Sequence, residues 1–567
     1  MKKLLLTSGM IGLFFGSLEA QTHDYAFAQH LSTYFLGGQR CGTTQSWLHG
    51  ACHTTDGSAV GKDLTGGWHD CGDYIKFHHT APYAALMYLY GFDNFPEAYA
   101  DDYTQANSAP PANGIPDILD EVKVETDYLI KCVDGGTIYY QVGGMASHGE
   151  DHNSFSEPVT NSEEKLYSGS KIRPCRSTTS GHSNALGDAA AALALMSIVY
   201  APYDAAYATS CKNAAIQYYS VAMVSPGSTA DYDNLAYSFL SGTKYKDELA
   251  FAAAVLYRAT GISSYLTDAI SHASGSNMDN SGTFDYSNVA HLANLELYRI
   301  HKTSNPSTAT TYLNKVKSKV NGYSVASCGY IHLTGWGSLR EAGCAAFLAS
   351  LYHLYSGDAT AYTFAKKNVD YILGSHAANG NIPANFSFLI GYDKMSGGYP
   401  KYPHHAAAFG YKSNEDPWDK YTQSESNPTS VSFKHELKGG LAGGPESSCS
   451  NFNDNIGNYV SSEYCTYYNS GFTGAVAYIN KVENNITTST AKIKVPLILN
   501  VYPNPASNQL VINSNMQDQL SVVDYMGRTI DTISLNGSAA LDISSYAPGL
   551  YFLVNSDAQT IQKFVKE

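Results

Sequence analysis

Positive charge is scarce in this chain. Its 567 residues carry 35 lysines and arginines against 50 aspartates and glutamates, a formal net charge of −15. A surface of that sign repels phosphate backbones and anionic lipid, so it argues against nucleic-acid and anionic-membrane partners and favours a neutral or cationic one. Long apolar runs are missing beyond the N-terminus, so no later segment is expected to span a membrane. The ten cysteines (41, 52, 71, 132, 175, 211, 328, 344, 449 and 465) include no CxxC pair, which speaks against zinc. Charged residues make up only 15% while 44% are hydrophobic, which excludes a disordered chain and leaves a globular one.

What is present begins with an export signal. Lys2 and Lys3, an apolar core from Leu4 to Phe15, and Leu18-Glu19-Ala20 make residues 1–20 a signal peptide; a short buried helix is the alternative. Export makes the cysteines candidates for disulfides, though sequence cannot give their pairing. From His23 to about Asn484 apolar residues recur at helical spacing, as in Asn184–Tyr200, Asp247–Arg258 and Leu339–Tyr355. Gly261, Gly357 and Gly374 stand at helix C-caps. Long Gly-, Ser-, Asn- and Tyr-rich loops join the helices, and such loops on a helical scaffold carry function. This pattern predicts a mainly α domain over 21–484, a toroid of helical hairpins with its site at one end. Residues 485–496 read as a linker. Residues 497–567 alternate at period two with turns at Met526-Gly527 and Pro548-Gly549, predicting a small all-β, sandwich-like domain. The 45 tyrosines suit a sugar-binding groove, being flat and apolar with a polar tip, although most are expected in helix packing.

Three segments carry candidate chemistry. In Asp63-Leu-Thr-Gly-Gly-Trp-His-Asp-Cys-Gly-Asp-Tyr-Ile-Lys-Phe77, Asp70 and Asp73 could hold one water from two sides, one accepting its proton while the other orients it. Calcium binding or helix capping explains the same pair equally well. In Phe452–Ser470, Glu463 lies among Tyr459, Tyr464, Tyr467 and Tyr468; apolar neighbours raise a carboxyl pKa and keep an acid protonated. A surface glutamate opening a helix is the competing reading. The third is Pro403-His404-His405, better suited to hydroxyl contacts than to one metal.

In this order and separation, the three segments resemble glycoside hydrolase family 9, the inverting cellulases. Asn113-Gly-Ile-Pro-Asp-Ile-Leu-Asp-Glu121, Tyr245-Lys-Asp-Glu-Leu249, Trp336-Gly-Ser-Leu-Arg340 and Asp370-Tyr-Ile-Leu-Gly374 extend the likeness over about residues 23–482. The resemblance implies an (α/α)6 toroid and hydrolysis of β-1,4-glucan, endoglucanase-type. It implies Asp73 as general base with Asp70 holding the water, Glu463 as general acid, and Asp454 and His404 in the active site. It further implies sugar contacts from His152, Trp336, Arg340 and Tyr468. No cofactor is needed for that chemistry, but a structural calcium is implied at Asp247 and Glu248; helix N-terminal charges are the alternative. Two departures stand out: Ala406 replaces the family's arginine, and Phe155 stands where the family has tryptophan. Related substrates are xyloglucan, mixed-linkage glucan and glucosamine oligomers, and a non-catalytic glycan-binding protein is the reading from another class. Val501-Tyr-Pro-Asn-Pro505, Pro548-Gly-Leu-Tyr-Phe552 and Lys563-Phe-Val-Lys566 resemble a type IX secretion sorting domain, with a carbohydrate-binding module as the alternative. The expected partners are the β-glucan and the secretion machinery, the expected state a monomer, and the expected location the medium or outer cell surface.

Overall fold

The computed structural model describes residues 23–487 and 499–567, apart from 44–45, 102–111, 145–150, 153, 155, 168, 229–243, 413, 416–430, 448 and 555–559. The signal peptide, Phe155 and most of the linker lie outside the described residues. Among these, twelve helices of ten residues or more follow in order: α1 (Tyr25–Gly38), α2 (Ala81–Asn94), α3 (Asp117–Lys131), α4 (Ser183–Val199), α5 (Ala205–Ala222), α6 (Lys246–Thr260), α7 (Ser263–His272), α8 (Ala290–His301), α9 (Pro306–Gly322), α10 (Ser338–Ser356), α11 (Ala359–Ile372) and α12 (Thr466–Glu483). Asp24, Asp204, Asn305 and Asp358 cap α1, α5, α9 and α11 by accepting from backbone N–H groups of the first turn. Gly261 and Gly357 close α6 and α10 in the left-handed conformation their sequence positions predict, while Gly374 lies one residue past the cap of α11.

The helices form two layers. Even-numbered helices build an inner wall: α2 packs on α4 and α12, α4 on α6, α6 on α8, and α10 on α12. Each odd-numbered helix backs an inner one: α1 on α12, α3 on α2, α5 on α4, α7 on α6, α9 on α8 and α11 on α10. The residue patterns explain the layers. Every residue of α4 is buried, as its unbroken Ala/Leu surface requires. In α9 only Ala309, Tyr312, Val316 and Val320 are buried, one stripe on an otherwise polar helix. This is the helical toroid the spacing predicts.

The toroid's two ends differ. At the C-terminal ends of the inner helices, Arg258 of α6 bridges Asp93 of α2 and Glu296 of α8, each at 2.8 Å, and Arg299 bridges the same two acids. Tyr298 and Tyr355 join α8 to α10 there, with ring centroids 5.2 Å apart. At the N-terminal ends lie the segments singled out above. A small sheet unforeseen from the sequence supports them: β1 (Lys76–Phe77), β2 (Val133–Asp134), β3 (Thr137–Val142) and β4 (Cys175–Thr178), with β3 pairing all three others. The Gly135-Gly136 turn before Thr-Ile-Tyr-Tyr-Gln-Val is a hairpin signal hidden by the helical context. β1 follows directly on Asp73 and anchors that loop.

Residues 499–567 form a five-stranded antiparallel sheet of β5 (Leu499–Tyr502), β6 (Gln509–Asp524), β7 (Thr529–Asp542), β8 (Gly549–Val554) and β9 (Thr560–Lys566). The long β6 pairs β7 along its length, β5 near its start and β8 near its end. Ala506 bridges Lys566, so the sheet's two edges return to each other around Leu510, Ile512, Leu520, Val522, Leu553 and Phe564. The sandwich-like fold follows from this closure.

Candidate active site

Three irregular segments meet over the N-terminal ends of α2, α10 and α12. The loop carrying Asp70 and Asp73 enters α2, and the segment carrying Glu463 enters α12. His404 and Glu463 form a parallel bridge, with the His404 N–H donating to the Ser462 carbonyl at 2.7 Å. The Thr466 N–H donates to the Asp70 carbonyl at 3.0 Å, and the Ala406 N–H to the Gly72 carbonyl at 3.0 Å. A Cβ on Gly72 would lie 2.4 Å from the His404 carbonyl oxygen, so only glycine allows this approach.

Each carboxylate has a distinct setting. Asp73 pairs with His152 Nδ1 at 2.7 Å and accepts the Ile75 N–H at 3.2 Å. Burial alone would lower the His152 pKa, but its hydrogen bond to Asp73 and that carboxylate's charge outweigh burial and raise it. Asp70 is buried and receives the Thr80 hydroxyl. Burial and the charge of Asp73 hold its pKa well above the usual range, against the Thr80 bond. Burial and the neighbouring carboxylate thus both favour the neutral form of Asp70.

Glu463 accepts from the Tyr468 hydroxyl at 3.0 Å and from Trp336 Nε1 at 3.3 Å. Burial pushes its pKa up to about 6, with the charge of Asp73 adding to the rise and the Tyr468 and Trp336 donors restraining it. The aromatic setting read from the sequence is real, yet its tyrosines divide: Tyr464, Tyr467 and Tyr468 are buried while Tyr459 is 49% exposed. Tyr459 and the 47%-exposed Trp336 lie with centroids 5.3 Å apart, and Tyr459 meets His404 at 6.0 Å. Together they form an aromatic platform beside the acid. His404 donates from Nδ1 to the Ile456 carbonyl at 2.7 Å; burial lowers its pKa to about 4, so it is neutral.

Two expected site residues act from behind. Asp454 accepts the N–H groups of Lys401 (2.7 Å) and Tyr402 (3.0 Å), bracing the loop that carries His404. Arg340 is 7% exposed, with its guanidinium 4.9 Å from the Tyr286 ring centroid and 5.8 Å from that of Tyr468; it also pairs with Asp285 at 3.6 Å. It packs beneath the tyrosine that holds Glu463. Ala406 is fully buried, so no side chain from that position reaches substrate. Sequence reading missed Arg173. Its buried guanidinium donates to the Tyr74 carbonyl at 2.7 Å and bridges Asp56 and Asp151, steadying the neighbours of both Asp73 and His152. An arginine in a polar loop gives no pattern to find it by.

Two donor sets suit metals. Asp247 and Glu248 interact with a third buried acid, Asp188 of α4: after burial, the charge of Asp247 raises the Asp188 pKa, and Asp247 and Asp188 raise that of Glu248. Asp188 Oδ1, Asp247 Oδ1 and Glu248 Oε2 are buried without hydrogen-bond partners among the described residues. The other Asp247 oxygen accepts the Val289 N–H at 2.9 Å; the three free carboxyl oxygens are the donor type a hard divalent cation takes. Asp188 was readable as the single acid within an alanine-rich buried helix. Separately, Cys41, Cys52, His53 and His69 bring four ligand atoms within 4.8 Å of one another, all buried. Asn161 holds His53 Nε2 at 2.9 Å, leaving Nδ1 facing Cys41 at 3.8 Å. This Cys₂His₂ set with an oriented histidine fits a structural zinc. This corrects the expectation against zinc drawn from the missing CxxC pair: the donors come from three segments that meet in space.

A family profile described as Glycosyl hydrolase family 9 matches residues 25–476. The chain belongs to this family. A second profile, the Secretion system C-terminal sorting domain, matches residues 500–567. Endoglucanase B of Cellulomonas fimi is 30% identical over 504 residues, covering 85% of this chain and 44% of the relative. Endoglucanase A of Bacillus pumilus is 31% identical over 481 residues, covering 81% and 66%. The chain therefore spans roughly half to two thirds of these relatives' lengths. Among solved structures, the cellulase Cel9M of C. cellulolyticum superposes with a TM-score of 0.67 at 31% identity, covering 82% of this chain and all of that one. A termite endoglucanase from Nasutitermes takasagoensis gives 0.67 at 27%, covering 82% and 100%. These family 9 likenesses agree with the helical toroid.

Proposed function

We propose that this chain is an exported endo-β-1,4-glucanase that hydrolyses cellulose-type glucans with inversion. The observation that carries the reading is that two carboxyls in different settings, far apart in sequence, come to the same end of the toroid. Asp73 is held by His152, and burial raises the Glu463 pKa to about 6 against the restraining donors Trp336 and Tyr468.

In the proposed reaction Glu463 donates its proton to the leaving glycosidic oxygen. Asp73 removes a proton from a water that attacks the opposite face of the sugar ring. Single displacement needs about 6.5–9.5 Å between the carboxyls to seat that water. Asp70, beside Asp73 in the same loop, orients that water. Trp336 and Tyr459 offer apolar faces on which a glucose ring stacks, and neutral His404 meets hydroxyls. Calcium at Asp188, Asp247 and Glu248 and zinc at the Cys₂His₂ set would add structural charge balance and no step in the chemistry. The sorting domain delivers the enzyme to the type IX secretion machinery, and thus to the surface or medium.

Asp73→Ala and Glu463→Ala should each abolish hydrolysis of carboxymethylcellulose while leaving thermal unfolding unchanged. Wild-type turnover in either folded variant overturns the assignment. A panel of cellulose, xyloglucan, mixed-linkage glucan and glucosamine oligomers, with product sizing, fixes the substrate and separates endo from processive action.

A further inference from the structure

We propose that the Cys71–Cys465 disulfide is a positioning pair for the hydrolysis, holding the base loop in register with the acid segment. The inference rests on Asp73 and Glu463 being the base and acid. Cys71 stands between Asp70 and Asp73, and Cys465 stands two residues after Glu463, so a bond between residues 394 apart in sequence joins the two catalytic arms.

The two arms differ in rigidity. Cys465 is the N-cap of α12, whose residues Thr466–Asn480 are all buried. Residues 63–75 contain no helix or strand, and regular pairing resumes only at Lys76. The disulfide therefore ties an irregular loop to the end of a fixed helix. It is also one of two adjacent attachments. The Thr466 N–H donates to the Asp70 carbonyl at 3.0 Å while Cys71 bonds Cys465, so consecutive residues of one arm are fixed to consecutive residues of the other. Two neighbouring attachments to the acid segment set rotation as well as separation, and the disulfide is the covalent one among the bonds that hold this loop. The amide of Gln39 donates to the Cys71 carbonyl at 2.8 Å and its oxygen pairs with His405 at 2.8 Å, which extends the clamp to the histidine loop. An inverting site has no covalent intermediate to keep its parts aligned, so its rate depends on the placement of base, water and acid together. Sugar contacts from Trp336, Tyr459 and His404 come from outside the stapled pair, so binding should survive its loss.

The second disulfide, Cys328–Cys449, supplies the control: it closes a 121-residue separation and holds neither catalytic arm by a neighbouring residue. The test measures kcat and KM on cellopentaose for Cys71→Ser/Cys465→Ser and for Cys328→Ser/Cys449→Ser, with mass-spectrometric mapping of the wild type under non-reducing conditions. The expected result is a crosslinked 71–465 peptide and at least a tenfold fall in kcat with KM within twofold for the first variant, while the second keeps kcat within twofold. If the first variant does not fold, the Cys328→Ser/Cys449→Ser protein is reduced natively. Its kcat should then fall with the fraction of 71–465 bond opened and return on reoxidation. An unchanged kcat, a change confined to KM, or free thiols at 71 and 465 in fully active enzyme overturns the proposal. Activity retained by Asp73→Ala or Glu463→Ala overturns the underlying assignment instead, whatever the cysteine variants do.

Discussion

The two ends of the toroid both bury acids and use them in opposite ways. At the C-terminal ends of the inner helices, Asp93 and Glu296 sit between Arg258 and Arg299. Burial alone would raise the Asp93 pKa, but the two guanidiniums outweigh it and hold it far below the ordinary range. At the N-terminal ends, no lysine or arginine bridges Asp70, Asp73 or Glu463 among the described residues, and Asp70 and Glu463 are pushed upward. Neutralised charge stitches helices together and has no proton to exchange near neutral pH. Uncompensated carboxyls are costly to bury and able to trade protons. Position on one scaffold thus separates stability from chemistry.

The largest test of that separation exchanges the ends. Glu463→Gln removes the proton donor and should lower kcat by about 100- to 10,000-fold with little change in Tm. Asp93→Ala should do the reverse, destabilising by about 3–5 kcal/mol because two buried guanidiniums are left sharing Glu296 alone, with kcat of the folded enzyme retained. Steady-state kinetics beside thermal unfolding reads both; a stable Asp93→Ala protein of low activity would break the comparison. Next in size is the acidic cluster of Asp188, Asp247 and Glu248. Calcium at about a hundred times its Kd should stabilise the protein by about 2.7 kcal/mol, and Asp188→Ala should abolish that gain. Calorimetry with calcium and with chelator measures it.

A smaller effect concerns pH. Glu463 must be protonated, so kcat/KM should fall as pH rises through about 6. Because its folded pKa lies above the unfolded value, its protonation favours the fold at low pH. That contribution is lost as pH rises between the two values. The Tyr468 hydroxyl bonds the carboxylate, so Tyr468→Phe should move the alkaline limb upward, by roughly one pH unit or less. A downward move would mean that Tyr468 does not stabilise the ionised acid.

The helical toroid was legible because alanine-rich apolar patterns and caps are local signals, and the strand alternation after 499 was equally local. Motif order brought Asp70, Asp73 and Glu463 forward as candidates, and the tyrosines around Glu463 were read from its own segment; the approach of Trp336 was not. What escaped depends on segments meeting in space. Cys41, Cys52, His53 and His69 come from three loops, and Cys71 finds Cys465 across almost the whole domain. Arg340 illustrates a finer gap: its place in a cleft motif suggested a sugar contact, but as part of the first turn of α10 it is buried against Tyr286 and supports Glu463 through Tyr468. A motif gives a residue's neighbourhood; burial decides which face of the site it serves.

The central claim is that Asp73 and Glu463 act together in one displacement, and product stereochemistry tests it most directly. Proton NMR of cellopentaose hydrolysis, followed from the first turnovers, should show the α anomer appearing ahead of mutarotation. A β anomer formed first would contradict the account, since it requires a covalent intermediate and a nucleophile in place of a water-activating base.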